Sequence, residues 1–533
     1  MNLLYLDAIK LSGKTICIYK KSFKKMSRID FSKLFVMPAC GKGTSWARFI
    51  ASFLIAFLVL STVSFLMLWL GDKIKGSGMA YTRYMARGQA PLTGQFYPGN
   101  SQNQITVLTY DRQFLKDSGS AWPISYGQHA DWIQKIVEEE STRPKAIFID
   151  VTFTEARDDA SVSVLLTTLC KAKKEYNVDV YLAALASSRD GQLHVREGLE
   201  QGVDEGCFEL VSVNYKPDPI DRIAWEYPIY SHVGATGWSS GLPKENQSQL
   251  TSAAVAIATR SAGIELPIEN DPMSIVWGVT NNQPTDNRPH LLDYCRDGQV
   301  SYLRLVPGIL RDLFVKPDPR PICPYNRTYS MSQLTDLPEA QLMASLKDKY
   351  VLIGAVIPGH NDLVDSPVHG LIPGIYLHAM ALDNLLTYGE DFKRSESWEF
   401  PPSNKLLVAG LTAVFVVLVV RVLWRCLAAK LKIGLSPVGR KPMEEIEIHQ
   451  RFVRLIPASI NWMLRMAVQA SISMGTIVIL QRFFTIGMLP VVELIGMTIL
   501  AEGLDYMGKI QKFLAPVNQK NIHKTESDSY TEE

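Results

Sequence analysis

Four side chains in this sequence have the types and placement to gather a ligand: Asp111, Asp150, Asp362 and His378. Asp111 and Asp150 each close an apolar run rich in β-branched residues, and Asp362 and His378 follow the end of a third such run. Convergent carboxylates beside an imidazole could hold a cation or a polar ligand. Each also has a local task open to it. Asp111 could cap a turn, Asp150 could satisfy backbone amides, Asp362 could order its loop, and His378 could pack within a helix. His360 and His369, in the same loop as Asp362, are further candidates. No residue is expected to be catalytic. The sequence holds no P-loop, no GxSxG and no kinase signature, and no activated nucleophile stands out. No CxxC or Cys/His spacing suggests zinc, so neither metal nor cofactor is expected.

The elements that must position these residues read as strands and helices in alternation. Tyr350 to Val356 is an apolar run suited to a strand buried on both faces. A polar loop with His360, Asp362, Asp365, Pro367 and His369 follows. Pro373 and Gly374 then open a helix whose apolar residues Ile375, Leu377, Met380, Leu382 and Leu385 recur at helical spacing. Earlier, Ile105 to Tyr110 reads as a strand ending at Asp111, Gln128 to Glu139 as a helix, and Ala146 to Val151 as a second strand carrying Asp150. Ala160 to Lys174 is a further helix and Val178 to Ala184 a further strand. Such alternation predicts an α/β fold with a largely parallel sheet, in which ligands bind beyond the carboxyl ends of the strands. Ser274 to Val279 and Leu303 to Phe314 read as one more strand and helix. Trp122 and Trp132 suit core or rim packing better than a stacking platform.

Several of these elements, in order, resemble the CHASE type 2 family, sensory domains that bacterial membrane receptors hold outside the cytoplasm. The matching residues are Leu352 to Gly354 (LIG), Asp362, Pro367, Pro373 with Gly374, His378 with Ala379, and Leu385 with Leu386. Near the amino end they are Asp111, Trp122 with Pro123, and Phe148, Asp150 and Phe153. The likeness covers about 105–389. There are departures: Ile124, Ser125 and Tyr126 stand where the family places Arg, and SSGLPKENQSQ replaces a D-G-x-x-R hairpin. The resemblance implies a sensory role, about three membrane helices after the external domain, and an output enzyme in many relatives.

Hydropathy and charge predict how the chain meets a membrane. Phe49 to Leu70 is 22 residues without a charge, long enough to cross a hydrocarbon core of about 30 Å. Residues 71–404 carry 30 Lys or Arg against 41 Asp or Glu, while the remainder carries 25 against 12. That asymmetry places basic segments inside and the acidic domain outside. The expected order is a basic tail (1–48), a membrane helix (49–70), the extracytoplasmic sensory domain (71–403), a second membrane helix (404–424), a cytoplasmic loop (425–460), a helical hairpin in the membrane (461–503) and a cytoplasmic tail (504–533). Residues 71–104 read as a connector. Met443 to Val453 reads as a surface amphipathic helix, and a re-entrant pair is the alternative for the hairpin. Glu493 would reach for the interface. Cys170, Cys207, Cys295 and Cys323 fall outside, an even number that allows three pairings.

None of the cytoplasmic segments reaches the roughly 50 residues of an independent domain, so no output enzyme fits within them. The leading expectation is therefore a multi-pass inner-membrane sensor or ligand-binding module, not itself an enzyme, with a large periplasmic or extracellular domain. It would signal through its membrane helices to a separate inner-membrane or cytoplasmic partner. Its expected partners are the lipid bilayer, an extracytoplasmic ligand, that signalling partner and a second copy of the chain; nucleic acid is not among them. An envelope scaffold that docks protein is the alternative, and a membrane-anchored hydrolase is a third reading. Fusions of a periplasm-only reporter after residues 75, 398, 435 and 520 should be active, active, inactive and inactive, and activity at 435 would overturn this topology.

Overall fold

The computed structural model describes residues 77–395, apart from 155–156, 186–194, 234–247, 268–270, 284–288, 290–294, 299–319, 358 and 360–361, together with residue 487 and parts of 50–66 and 404–419. The chain divides into two units, one of residues 68–410 with 456–496 and the other of 1–67, 411–455 and 497–533. In the second unit the described residues near 57 and 415 are helical, and the rings of Phe53 and Phe57 each meet that of Phe415 at 5.7 and 6.4 Å between centroids. Among the described residues no helix is long and apolar enough to cross a membrane. The expected count of one amino-terminal and three later spans thus rests on the sequence pattern. The segments 1–48, 425–460 and 504–533, the expected hairpin apart from Gly487, the helix at Leu303 to Phe314 and His360 lie outside the described residues.

The first unit opens with α1 (Ser77–Thr93), which occupies the stretch expected to be a simple connector. Strand β1 (Ile105–Asp111) runs into α2 (Arg112–Ser118), and α3 (Tyr126–Glu138) leads to β2 (Ala146–Asp150). Helix α3 starts two residues before its expected start because Ser125 and Gln128 close a capping box there. Helix α4 (Val162–Lys174) and β3 (Asp179–Ala184) follow, then β4 (Glu209–Ser212). Short pieces come next: β5 (Glu226–Tyr227), β6 (Tyr230–Val233), β7 (Ser248–Thr251), α5 (Ala253–Ala256), β8 (Met273–Ser274) and β9 (Arg327–Ser330). The last part holds α6 (Glu339–Leu346), β10 (Tyr350–Val356), a hairpin of β11 (Leu363–Ser366) and β12 (Gly370–Pro373), and α7 (Ile375–Tyr388).

Six strands form one sheet in the order β4-β3-β2-β10-β1-β9, and every pairing in it is parallel. The latest of the long strands, β10, therefore sits between the two earliest. One face carries Leu108, Tyr110, Ile147, Ile149, Val180, Leu182, Val351 and Ile353, which pack with Ile133 and Ile136 of α3 and Leu165 and Leu169 of α4. Burying each such aliphatic side chain contributes about 1.5–3 kcal/mol relative to exposure. The opposite face receives α7, whose residues Ile375 through Leu385 are all buried, not merely one stripe. Gly354 makes this approach close: a Cβ there would stand 2.8 Å from Cβ of Ile375. Glycine in a central strand weakens the ladder but lets another element come near.

Two expectations need correction. The polar loop after β10 is largely the antiparallel β11–β12 hairpin, in which Val364 pairs with Ile372, so both have a buried side facing the domain. And only Met273 and Ser274 of the expected 274–279 strand form a ladder, with β5. Beyond them the backbone is satisfied differently. Ile275 N–H donates to the Trp225 carbonyl, and the side-chain amide of Asn384 bonds both the N–H and the carbonyl of Val276, each at 3.0 Å. Alternating apolar residues thus bury Ile275, Trp277 and Val279 without a partner strand.

Cys170 is bonded to Cys207 and Cys295 to Cys323, one of the three pairings open to the four cysteines. The first ties α4 to the residues leading into β4 across a sequence separation of 37, and closing a loop of that length is worth about 4 kcal/mol in the chain-entropy picture. Alkylation without reduction should leave all four thiols unmodified in mass spectra, and peptide mapping should return these two pairs; alkylation of all four would refute both bonds.

Candidate functional site

Asp150 ends β2 and lies in register with Gly354 of β10. Asp362 follows β10 and immediately precedes β11, so the two carboxylates come from neighbouring strands at the same, carboxyl end of the sheet. Asp362 is held there by Gly374. The Gly374 N–H donates to the Asp362 carbonyl at 3.1 Å, and a Cβ on Gly374 would meet the Asp362 carboxylate at 2.5–2.9 Å. Pro373–Gly374 is therefore a seat for the aspartate as well as the start of α7. Burial raises the proton affinity of Asp150 well above that of an ordinary carboxyl, and the negative charge of Asp362 adds to this. Asp362 is exposed as a residue, but its carboxyl leans into protein and burial raises its pKa too. Like charges in a shared, poorly solvated place favour a retained proton.

The floor beside Asp150 is aromatic. His378, on the first turn of α7, keeps 3 % of its surface exposed, and its ring meets Phe148 edge-to-face at 5.4 Å and Tyr227 at 5.6 Å. The Tyr227 hydroxyl lies 2.7 Å from His378 Nδ1 and accepts from Ala254 N–H at 3.2 Å. Burial pushes the imidazole down to about 3, so it is neutral across the physiological range. Tyr227 is raised by burial and also by the charge of Asp150, which places phenol and carboxylate in one field. Phe148 and Asp150 alternate onto the same face of β2. Asp150, Asp362, Tyr227 and His378 thus form one neighbourhood, of which sequence reasoning named three members. Tyr227 was missed; it stands in the short strand β5 without any periodic pattern around it.

Asp111 is not brought into this group. Its Oδ1 accepts from Phe114 N–H at 2.8 Å as the N-cap of α2 and from the Ser330 hydroxyl at 2.9 Å, which fastens β1 to β9. His369, expected in an exposed loop, is buried in the hairpin turn, with Nδ1 3.3 Å from the Ile322 carbonyl, and burial lowers it to about 4. Trp122 and Trp132 pack at the rim of the core, Trp132 against Phe114 at 5.8 Å with Lys135 over its ring.

A second polar cluster lies further along α7. Asp383 is fully buried; its Oδ1 accepts from the Tyr97 hydroxyl at 2.6 Å and from Thr387 at 3.3 Å, and its Oδ2 has no partner among the described residues. Burial lifts its pKa from 3.8 to about 6, against the opposing pull of the Tyr97 and Thr387 hydroxyls. The Tyr97 ring also meets those of Tyr325 and Tyr388 at 5.5 and 5.9 Å. Tyr97 lies just beyond α1, so this bond ties the start of the domain to its last long helix. Nothing in the spacing of Tyr97 and Asp383 announces it, since 286 residues separate them.

The domain is a parallel α/β fold with two carboxylates at the carboxyl edge of its sheet. The chain belongs to the CHASE2 family: the CHASE2 domain model matches residues 52–421. That span exceeds the 105–389 suggested by motifs alone and takes in most of both flanking hydrophobic stretches, 49–70 and 404–424. CHASE2 domains are extracytoplasmic sensory domains of membrane proteins. No curated protein and no solved structure matches the chain.

The buried acid at 383 has a pH signature. Its folded-state pKa is raised, so the native state holds the proton more tightly than the unfolded chain and stability falls as pH rises from about 4 through about 6. Asp383→Asn should flatten that part of the melting-temperature profile of the detergent-solubilised protein. An unchanged slope in the variant would show that the acid does not titrate in this window.

Proposed function

We propose that this protein is a membrane-bound extracytoplasmic sensor that takes up a ligand between Asp150 and Asp362 and passes occupancy through its membrane helices to a separate partner protein. The observation that carries the reading is a pair of carboxylates, Asp150 half-buried and Asp362 exposed, brought together at the carboxyl end of adjacent strands with no hydrogen bond to either among the described residues. The family, the two disulfides and the acidic charge of the domain support an oxidising compartment outside the cytoplasm.

The route outward in this reading is α7. Its first turn carries His378 beside the recess, and its last turn carries Asp383 and Thr387 against Tyr97. Beyond α7 the sequence leads to the hydrophobic stretch at 404–424, and before Tyr97 it comes from that at 49–70. A ligand that favours one position of α7 over another biases both connections at once, which is what coupling between site and membrane requires. The reading assigns the chain no reaction of its own.

The test is a thermal-shift comparison of the full-length protein in detergent, wild type against Asp362→Asn, with the low-molecular-mass and macromolecular fractions of spent culture medium. The low-mass fraction should raise the wild-type melting temperature and leave the variant unmoved, because binding to the native state stabilises it by mass action. A shift that survives in the variant moves the site elsewhere. A shift given by the macromolecular fraction alone would favour an envelope scaffold that docks protein.

A further inference from the structure

A narrow strip of backbone gathers distant parts of the chain just past the end of α7. In β5 and β8, Glu226 pairs with Ser274 and Tyr227 with Met273. The chain after α7 adds a further rung: Met273 and Arg394 form an antiparallel bridge, Ser274 N–H donates to the Lys393 carbonyl at 2.7 Å, and Ser395 N–H donates to the Pro272 carbonyl at 3.0 Å. The Ser395 hydroxyl also donates to the Glu226 carboxylate. The outer edge of this strip is met by a residue from much later in the sequence. Gly487 is buried, and its N–H donates to the Arg394 carbonyl at 2.9 Å. There is no room for a side chain at that point. A Cβ on residue 487 would stand 2.5 Å from Cβ of Ser274, closer still to its hydroxyl oxygen, and 3.1 Å from the Arg394 carbonyl oxygen. Only glycine lets two backbones approach in this way.

We propose that Ser274 and Arg394 form a receptacle for the chain at Gly487, and that this contact keys the carboxyl-terminal hydrophobic segment to the extracytoplasmic domain. Gly487 stands within the hydrophobic segment 461–503, between Arg482 and Pro490. Because its partners belong to a domain held outside the cytoplasm, the chain at 487 reaches that side too. This fits a hairpin that enters from the inside and turns on the outside, and it opposes a re-entrant pair that stays on the cytoplasmic side. The inference rests on the membrane-bound reading above and on no ligand at Asp150 or Asp362. The receiving strip is joined to the rest of the domain at two useful points. Tyr227 carries the hydroxyl that bonds His378 of α7, and Lys393 to Ser395 lead on toward the hydrophobic stretch at 404–424. A shift of β5 or of the chain after α7 therefore reaches 487 through consecutive backbone hydrogen bonds, a contiguous physical connection. The same contact closes an edge carbonyl at Arg394 that a second copy could otherwise pair with.

The experiment is a size exchange, read by amide hydrogen exchange and mass spectrometry on the full-length protein in detergent. Gly487→Ala should speed exchange of the Ser274 and Ser395 amides by about tenfold or more, while strand β1 keeps its wild-type rate. Ser274→Gly removes the two atoms nearest the added methyl. Combining the two changes should therefore return those amides to within about twofold of Ser274→Gly alone, since neighbours that share a contact are not additive. Gly94→Ala, whose Cβ would strike the Trp277 carbonyl, should gain nothing from Ser274→Gly. If Gly487→Ala does not accumulate, recovery of accumulation in the double variant is the same result. If neither accumulates, the wild-type protein decides, because its Gly487 amide should exchange as slowly as those of Ser274 and Ser395. Unchanged exchange in Gly487→Ala, no rescue in the double variant, or a fast Gly487 amide in the wild type would each overturn the docking. Rescue combined with an active periplasm-only reporter after residue 435 keeps the docking and removes the membrane arrangement instead.

Discussion

The close packing of α7 over Gly354 is the contact on which the rest of the domain depends. With no side chain at 354, Ile375 comes down onto the middle of the sheet, and the helix behind it is buried on every side through Leu385. That placement sets His378 against Phe148 and carries Asp383 to Tyr97. It also puts Gly374 beneath the Asp362 carboxylate. A helix held less closely would lose all three relations together, because they share one rigid element.

The two polar clusters along α7 differ in how their buried groups are satisfied. At 383 the carboxylate has hydroxyl donors from Tyr97 and Thr387, so the charge is partly compensated from within the fold. At 150 and 362 no such donor is present among the described residues, and burial together with the charge of Asp362 raises the hold of Asp150 on its proton. The first arrangement fastens the domain; the second stands at the edge of the sheet, with Asp362 exposed to solvent. The two differ in donor supply and in burial, since Asp383 is fully buried and Asp362 is exposed.

A second Tyr–His pair shows why such contacts need context before they are given a role. Tyr110 and His129 lie 3.1 Å apart on the opposite face of the sheet, among Phe114, Trp122 and Phe153. There the imidazole is buried in the core, lowered to about 3 by burial, and no unpaired carboxylate stands beside the phenol. The pair at Tyr227 and His378 has the same hydrogen bond but borders Asp150. The hydrogen bond alone therefore gives neither pair a role; what differs is the charged group beside it.

What the sequence determined by itself was local and periodic. The apolar runs at 105–111, 146–150, 179–184 and 350–356 are strands, their helices alternate with them, and the carboxylates at 150 and 362 stand at strand ends, because each of these follows from short-range pattern. The even number of external cysteines was legible too. Tertiary structure decided which distant groups meet. It brought Tyr227 to His378 across 151 residues, took Asp111 to Ser330 across 219, chose Cys170–Cys207 over the other pairings, and satisfied Val276 through Asn384 instead of a neighbouring strand. No pattern within a window of the chain encodes such partners. They are set by the order of strands in the sheet and by the seat that Gly354 leaves for α7, both properties of the packed whole.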